Sequence, residues 1–207
     1  MADLVTNFLE GVRATSLLEW LAVASGIVSV WFSRRENILV YPVGLISTVI
    51  YIYLSIIQDL YGEASVNVYY TIMSIYGWVL WQKRNRNHEL TLHVTVSTPR
   101  ELRQQGLFFL VLYVLLYAAL HWLGKAFSAN TIPWADGFAS AAAFTGMWLM
   151  AKKKVESWHW WIVTNFASIP LYYYKGYVVS SVYYVVLLVM AVSGLVEWKR
   201  RARLQNA

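Results

Sequence analysis

The sequence predicts an all-α integral membrane protein with seven transmembrane helices, arranged as two parallel three-helix repeats joined by one linker helix. Three observations carry that expectation. The chain has 207 residues, of which 58% are hydrophobic and 14% charged, whereas soluble domains hold about 45–50% apolar and about 25% charged residues. The apolar residues come in runs, and a run of about 20 residues crosses a hydrocarbon layer about 30 Å thick. The chain also resembles itself when slid by 117 residues.

In chain order the spans fall at 17–32, 38–57, 64–82, 106–123, 134–151, 158–175 and 177–197. Met1–Thr15 carries acids and Arg13, without the basic start of a secretory signal, so the first run reads as a retained span. Residues 17–82 form the first repeat, and 83–105 a cytoplasmic loop with a strand-like LTLHVTV stretch and a turn at Pro99. Residues 106–123 form the linker helix, 134–197 the second repeat and 198–207 a basic cytoplasmic tail. Alternate loops sort the cations unevenly. Arg13, Lys125 and Lys175 fall on one side and the rest of the 17 Lys and Arg on the other. The positive-inside rule then puts the N-terminus outside and the C-terminus in the cytoplasm, which requires an odd number of spans.

The self-match is ungapped. Trp31 meets Trp148, Arg35 meets Lys152, Leu54 meets Leu171, Gly77 meets Gly194, Trp81 meets Trp198, and Lys83–Arg84 meets Arg200–Arg201. Ala24, Ser25 and Gly26 fall over Ala141, Ala142 and Ala143, residue sizes that let membrane helices approach closely. With one span between them the two triplets cross the membrane in the same direction, an architecture of transporters with a midplane substrate site.

Several function classes drop out. The net charge of +6 sits at the ends of apolar runs, not in the continuous patch that nucleic acid needs. With no cysteine there is no thiolate nucleophile or Cys-based metal site, and the chain carries no HExxH, GxSxG or P-loop. Neither a cofactor nor a metal is expected. Glu19, Asp136, His159 and Glu197 lie near span ends, so the membrane interior lacks the ionisable relay of a proton- or sodium-coupled pump. Uncoupled facilitated diffusion follows as the expectation, with a receptor or assembly subunit and an intramembrane enzyme as alternatives of other classes.

Polar and aromatic residues deep in spans mark the candidate site. Trp158, Trp161 and Asn165 share one helical face, and their repeat partners are Tyr41, Gly44 and Thr48, so one half offers bulk where the other leaves room. By spacing alone Trp158 reads as a residue of the interfacial aromatic belt. The Asn165 amide must find a partner, either another helix or a ligand. Asn67, Tyr70, Ser74 and Trp78 form a second stripe. Pro42 and Pro170 lie within spans as hinge candidates, each removing a backbone bond to the fourth residue before it. Aromatic faces suit a substrate cation.

The stretches NILVYPVG (Asn37–Gly44), LYGEASVNVYY with SIYGWVLW (Leu60–Trp81) and WxxWxxxN at Trp158, Trp161 and Asn165 resemble the PnuC family of bacterial vitamin transporters, over essentially Glu19–Lys199. The resemblance implies a three-plus-one-plus-three fold like that of the SWEET sugar transporters, in the bacterial cytoplasmic membrane. It implies uptake of nicotinamide riboside down its gradient, and trapping by a cytoplasmic vitamin kinase. It also implies substrate-binding roles for Trp158, Trp161 and Asn165, to which the stripes add Asn67, Tyr70, Tyr41 and Thr48. Asn67 departs from the Gln of many nicotinamide riboside members and is similar to the thiamine-transporting branch, so thiamine is the alternative substrate. The implied partners are the vitamin and the lipid bilayer. Homo-oligomerisation stays open on the sequence.

Overall fold

The computed structural model describes residues 9–84, 90–127 and 131–205. The reading of residues 1–8, the charge assigned to Arg86 and the Lys125 side chain lie outside that description. Seven long helices follow one another: α1 (Leu17–Arg34), α2 (Val40–Ile57), α3 (Tyr61–Gln82), α4 (Pro99–Phe127), α5 (Pro133–Ala151), α6 (Glu156–Tyr174) and α7 (Val178–Gln205). Four of them, α1, α2, α4 and α7, are long and apolar enough on their own to cross a membrane. The other three carry the more polar faces. That difference has a structural reason, because α3, α5 and α6 direct Asn67, Asp136 and Asn165 toward an internal cavity instead of lipid.

Local chemistry sets the helix ends. Ser16 accepts the Glu19 N–H at 3.2 Å to start α1, and the Asn37 side chain accepts the Leu39 N–H at 2.9 Å ahead of α2. Pro133 opens α5, where the Asp136 carboxylate accepts the Ile132 N–H at 2.6 Å. Thr98 and Glu101 form a reciprocal capping box, Glu101 Oε2 accepting the Thr98 N–H at 2.8 Å and Thr98 Oγ1 the Glu101 N–H at 3.3 Å. That box starts α4 at Pro99, ahead of the apolar stretch that begins at residue 106, and α7 likewise runs past residue 197 to Gln205. Hydropathy marks the lipid-facing part of a helix, whereas caps mark its ends.

The contacts close six helices into a ring in the order α1, α2, α3, α5, α6, α7 and back to α1, with α4 outside against α5. Residues 117 apart play matching parts in this ring. The Tyr41 and Trp81 rings meet edge to face at 5.1 Å, and their counterparts Trp158 and Trp198 do so at 5.6 Å. Arg35 lies 4.0 Å over Trp31, and Lys152 lies 4.0 Å over Trp148. Left-handed backbone occurs at Glu36 and Lys153, and again at Asp59 and Gly176, two pairs at the same spacing.

One end of the ring is tied across the two halves. The Trp81 indole donates to the Ala151 carbonyl at 3.2 Å, and the Trp198 indole donates to the Ser33 carbonyl at 3.0 Å. Between them Lys153 Nζ meets Glu36 Oε1 at 2.7 Å, and Arg201 reaches the other Glu36 oxygen at 3.2 Å. The strand-like stretch finds a partner here: Thr95 donates to the Lys153 carbonyl at 3.1 Å and accepts from the Val155 N–H at 3.0 Å, with Val94 buried beneath. It forms an isolated bridge beside the α5–α6 turn, not a sheet.

Candidate functional site

The ring encloses a cavity of about 590 Å³ to which each of the seven helices contributes. All seven substrate-binding candidates line it: Trp158, Trp161, Asn165, Asn67, Tyr70, Tyr41 and Thr48. Neither hinge candidate does. Pro42 sits in the first turn of α2, where the helix leaves its N–H groups unpaired anyway, so it breaks no helical bond. Pro170 lies inside α6 and does interrupt the ladder.

Trp158 is not a belt residue. It is 1% exposed, and its six-membered ring covers Gly194, where an added Cβ would lie 2.6 Å from the indole. Tyr41 covers Gly77 of α3 in the same way. Helical spacing put Trp158 near a membrane boundary, but Gly194 on the neighbouring helix α7 admits it to the interior. The Tyr41 hydroxyl, the Trp158 N–H and the Thr164 hydroxyl are buried without a hydrogen-bond partner among the described residues. Such groups cost about 1–3 kcal/mol each.

Further along α6, Trp161 lines the cavity with Tyr70, their ring centroids 6.1 Å apart. Phe144 of α5 extends this wall, 6.2 Å from Tyr70 and stacked at 4.1 Å on Tyr69, whose hydroxyl donates to the Phe144 carbonyl at 3.0 Å. Asn165, one turn on from Trp161, is 3% exposed, and no described residue satisfies its amide. A buried amide with open donors and an acceptor can hold a ligand's hydroxyl or carboxamide. Asn67 is occupied differently, its amide donating to the Glu63 carbonyl at 2.9 Å. Thr48 accepts from Thr71 at 2.9 Å, linking α2 to α3.

The end away from the tied side carries residues that the sequence reading did not place in the site. Glu63, in the first turn of α3, lines the cavity, as do Asp136 and Lys175, which pair at 2.6 Å. Glu63 lay one residue outside the predicted span, so a search of span interiors passed over it. Tyr183 and Tyr184 add rings from α7, with Tyr184 4.9 Å from Tyr172. Among the described residues no cluster of three or more His, Asp or Glu has the geometry of a metal site.

A helical ring with exposed apolar outer faces and an aromatic, amide-bearing cavity inside has the build of a membrane transporter. Residues 16–200 match the family described as nicotinamide mononucleotide transporter, and the chain belongs to that family. The nicotinamide riboside transporter PnuC of Escherichia coli is 22% identical over 91% of this chain and 87% of its own. The PnuC of Neisseria mucosa is 29% identical over 89% of this chain and 73% of its own. The riboflavin/roseoflavin transporter RibM of Streptomyces davaonensis is 23% identical over 86% and 82%. A crystal structure of the vitamin B3 transporter PnuC superposes with a TM-score of 0.73 at 25% identity, covering 97% of this chain and 88% of that one. The protein is therefore a multi-pass membrane transporter for vitamin uptake, not an enzyme.

Proposed function

We propose that the chain carries nicotinamide riboside into the cell by uncoupled facilitated diffusion, and that a cytoplasmic kinase traps the vitamin by phosphorylating it. The observation that carries the substrate is the cavity wall of Trp161, Tyr70 and Phe144 beside the unsatisfied Asn165 amide. Ring faces attract a pyridinium cation without the desolvation cost of a carboxylate, and the amide suits a carboxamide or a ribose hydroxyl. Relatives named for nicotinamide riboside support the same choice. The acids that line the cavity, Glu63 and Asp136, stand in first turns of their helices at one end, and Asp136 is already paired. Among the described residues, the cavity lining carries no acid beyond these two to continue a relay for a coupling proton.

In this reading all seven long helices span the bilayer as three plus one plus three. The contact ring and the matched residues 117 apart support that plan. The tied end, rich in Lys and Arg, faces the cytoplasm with the C-terminus, and the N-terminus is outside. Residues 17–82 and 134–197 are then the two repeats, with 106–123 the linker span, 83–105 a cytoplasmic loop and 198–207 the cytoplasmic tail.

Isothermal titration of the purified protein with nicotinamide riboside, thiamine and riboflavin side by side tests the substrate. Heat from nicotinamide riboside alone supports the proposal. Binding of thiamine or riboflavin in its place overturns it. Accumulation of unmodified vitamin in proteoliposomes, driven by an imposed proton or sodium gradient, would overturn the uncoupled mechanism.

A further inference from the structure

Charge is unevenly distributed around the cavity. Among the described residues three charged side chains line it, and all lie at the end away from the tied side: Glu63 in the first turn of α3, Asp136 in the first turn of α5 and Lys175 just beyond α6. Asp136 and Lys175 pair at 2.6 Å and cancel. The Glu63 carboxylate enters no salt bridge among the described residues, and the Asn67 amide donates to the Glu63 backbone carbonyl. With the three groups ionised the lining carries a net charge of −1, and Glu63 is its source. Glu63 is exposed, so its carboxylate stays hydrated and holds its charge without a burial cost. It shares a face of α3 with Asn67 and Tyr70, at i, i+4 and i+7, and all three line the cavity. Seven residues of helix rise about 10 Å, so Glu63 stands two turns from the wall that Tyr70 forms with Trp161.

We propose that Glu63 is the charge-selecting residue of the site, its carboxylate favouring organic cations over neutral molecules of similar size. The inference rests on the cavity being the vitamin site. Carboxylate and aromatic wall act at different ranges. The wall holds a pyridinium by ring faces in contact with it, whereas Glu63 acts through space, two turns away, and keeps its own water. A unit charge about 10 Å from the bound cation, in a medium between protein and water, shifts affinity by about two- to fifteen-fold. The Asp136–Lys175 pair contributes little to this preference, because its charges offset each other.

Nicotinamide riboside is titrated into the full chain and into its Glu63→Gln and Glu63→Lys variants, at about 0.01 M and about 1 M potassium chloride, between which the screening length falls from about 30 Å to about 3 Å. At low salt Glu63→Gln should weaken binding about fivefold and Glu63→Lys about 25-fold, the second unit of charge repeating the effect of the first. At high salt the three proteins should converge. An acid in a first turn also complements the helix dipole, but losing that contribution lowers the melting temperature and leaves no charge-graded, salt-screened step in affinity. Unchanged affinity at low salt in the folded variants overturns the proposal, and so does a loss that persists undiminished at high salt. If Glu63→Lys fails to fold, Glu63→Gln decides by the same two criteria. If the unmodified chain binds thiamine in place of nicotinamide riboside, the substrate reading falls, and the same variants test Glu63 with that cation. Binding of the neutral riboflavin alone, or of none of the three, overturns both.

Discussion

On the proposed reading of the cavity, two neighbouring side chains, Asn165 and Trp161, divide the work of recognition. The indole offers a large, rigid face, and the amide a buried hydrogen-bonding group on the cavity wall. Truncating a central aromatic anchor commonly costs about 2 kcal/mol or more of binding, so Trp161→Ala should weaken nicotinamide riboside binding roughly 30-fold in titration. Asn165→Ala should cost about tenfold, within the range of a lost hydrogen bond to a polar ligand. Both variants should elute as folded protein, and unchanged affinity in either would remove that residue from the site. Tyr41 calls for the opposite sign in stability. Its hydroxyl is buried without a partner, so Tyr41→Phe removes an unsatisfied group and should leave the melting temperature unchanged or raised. A clear fall in melting temperature would mean that the hydroxyl has a partner after all. These roles were partly legible in the sequence, since one-face spacing collected Trp158, Trp161 and Asn165. Spacing misread Trp158 because the glycine that admits it, Gly194, lies on another helix.

Helices α4 and α7 show what hydropathy cannot mark. Their apolar stretches were readable, but α4 begins at a polar cap that ties it to the rest of the molecule. Glu101 accepts from Thr98 and pairs with Lys154 at 2.8 Å, and these contacts, the Lys154 one foremost, hold its carboxyl below the ordinary range. A lowered folded value means that the contribution is fully present above the unfolded carboxylate range and lost as pH falls through the folded value. Glu101→Gln should therefore lower the melting temperature slightly at neutral pH, with the gap closing as pH falls into the acid range. The side chain is 36% exposed, so solvent screening keeps the effect below about 1 kcal/mol. A gap that stays constant across the acid range would separate the effect from ionisation. At the packed end of α7, Gly194→Ala meets the Trp158 ring at 2.6 Å. Overpacking of this kind costs about 1–3 kcal/mol, visible as a lower melting temperature in detergent. The repeat offset already paired Gly77 with Gly194, yet only the ring contacts reveal that both are seats for aromatic side chains.

At the scale of the whole molecule the internal repeat becomes a physical tie. Glu36 and Lys153 end their helices in the same left-handed conformation, 117 residues apart, and their side chains meet across the interface between halves. Sequence comparison aligned these positions without revealing that they touch, because a repeat gives equivalence and not distance. Lys153 is nearly enclosed, donates to the Leu92 carbonyl at 3.0 Å and lies 4.6 Å from the centre of the Trp81 ring. Removing one partner of such a pair leaves an uncompensated buried charge and costs about 3–5 kcal/mol. Glu36→Lys should be the worst single change, since it adds a cation beside both Lys153 and Arg201. Lys153→Glu should be milder, because Arg201 remains to compensate. The double variant Glu36→Lys with Lys153→Glu restores one opposite-charge pair in equivalent backbone geometry. It should melt above Glu36→Lys alone but below the unmodified protein, with Arg201 now facing a cation. Uptake in proteoliposomes should follow the same order if the tie must form and part during each transport cycle. A double variant that melts no higher than Glu36→Lys would mean that the two residues do not act as a pair. Recovered melting temperature without recovered uptake would make the tie a structural fastening and place the moving contact elsewhere in the ring.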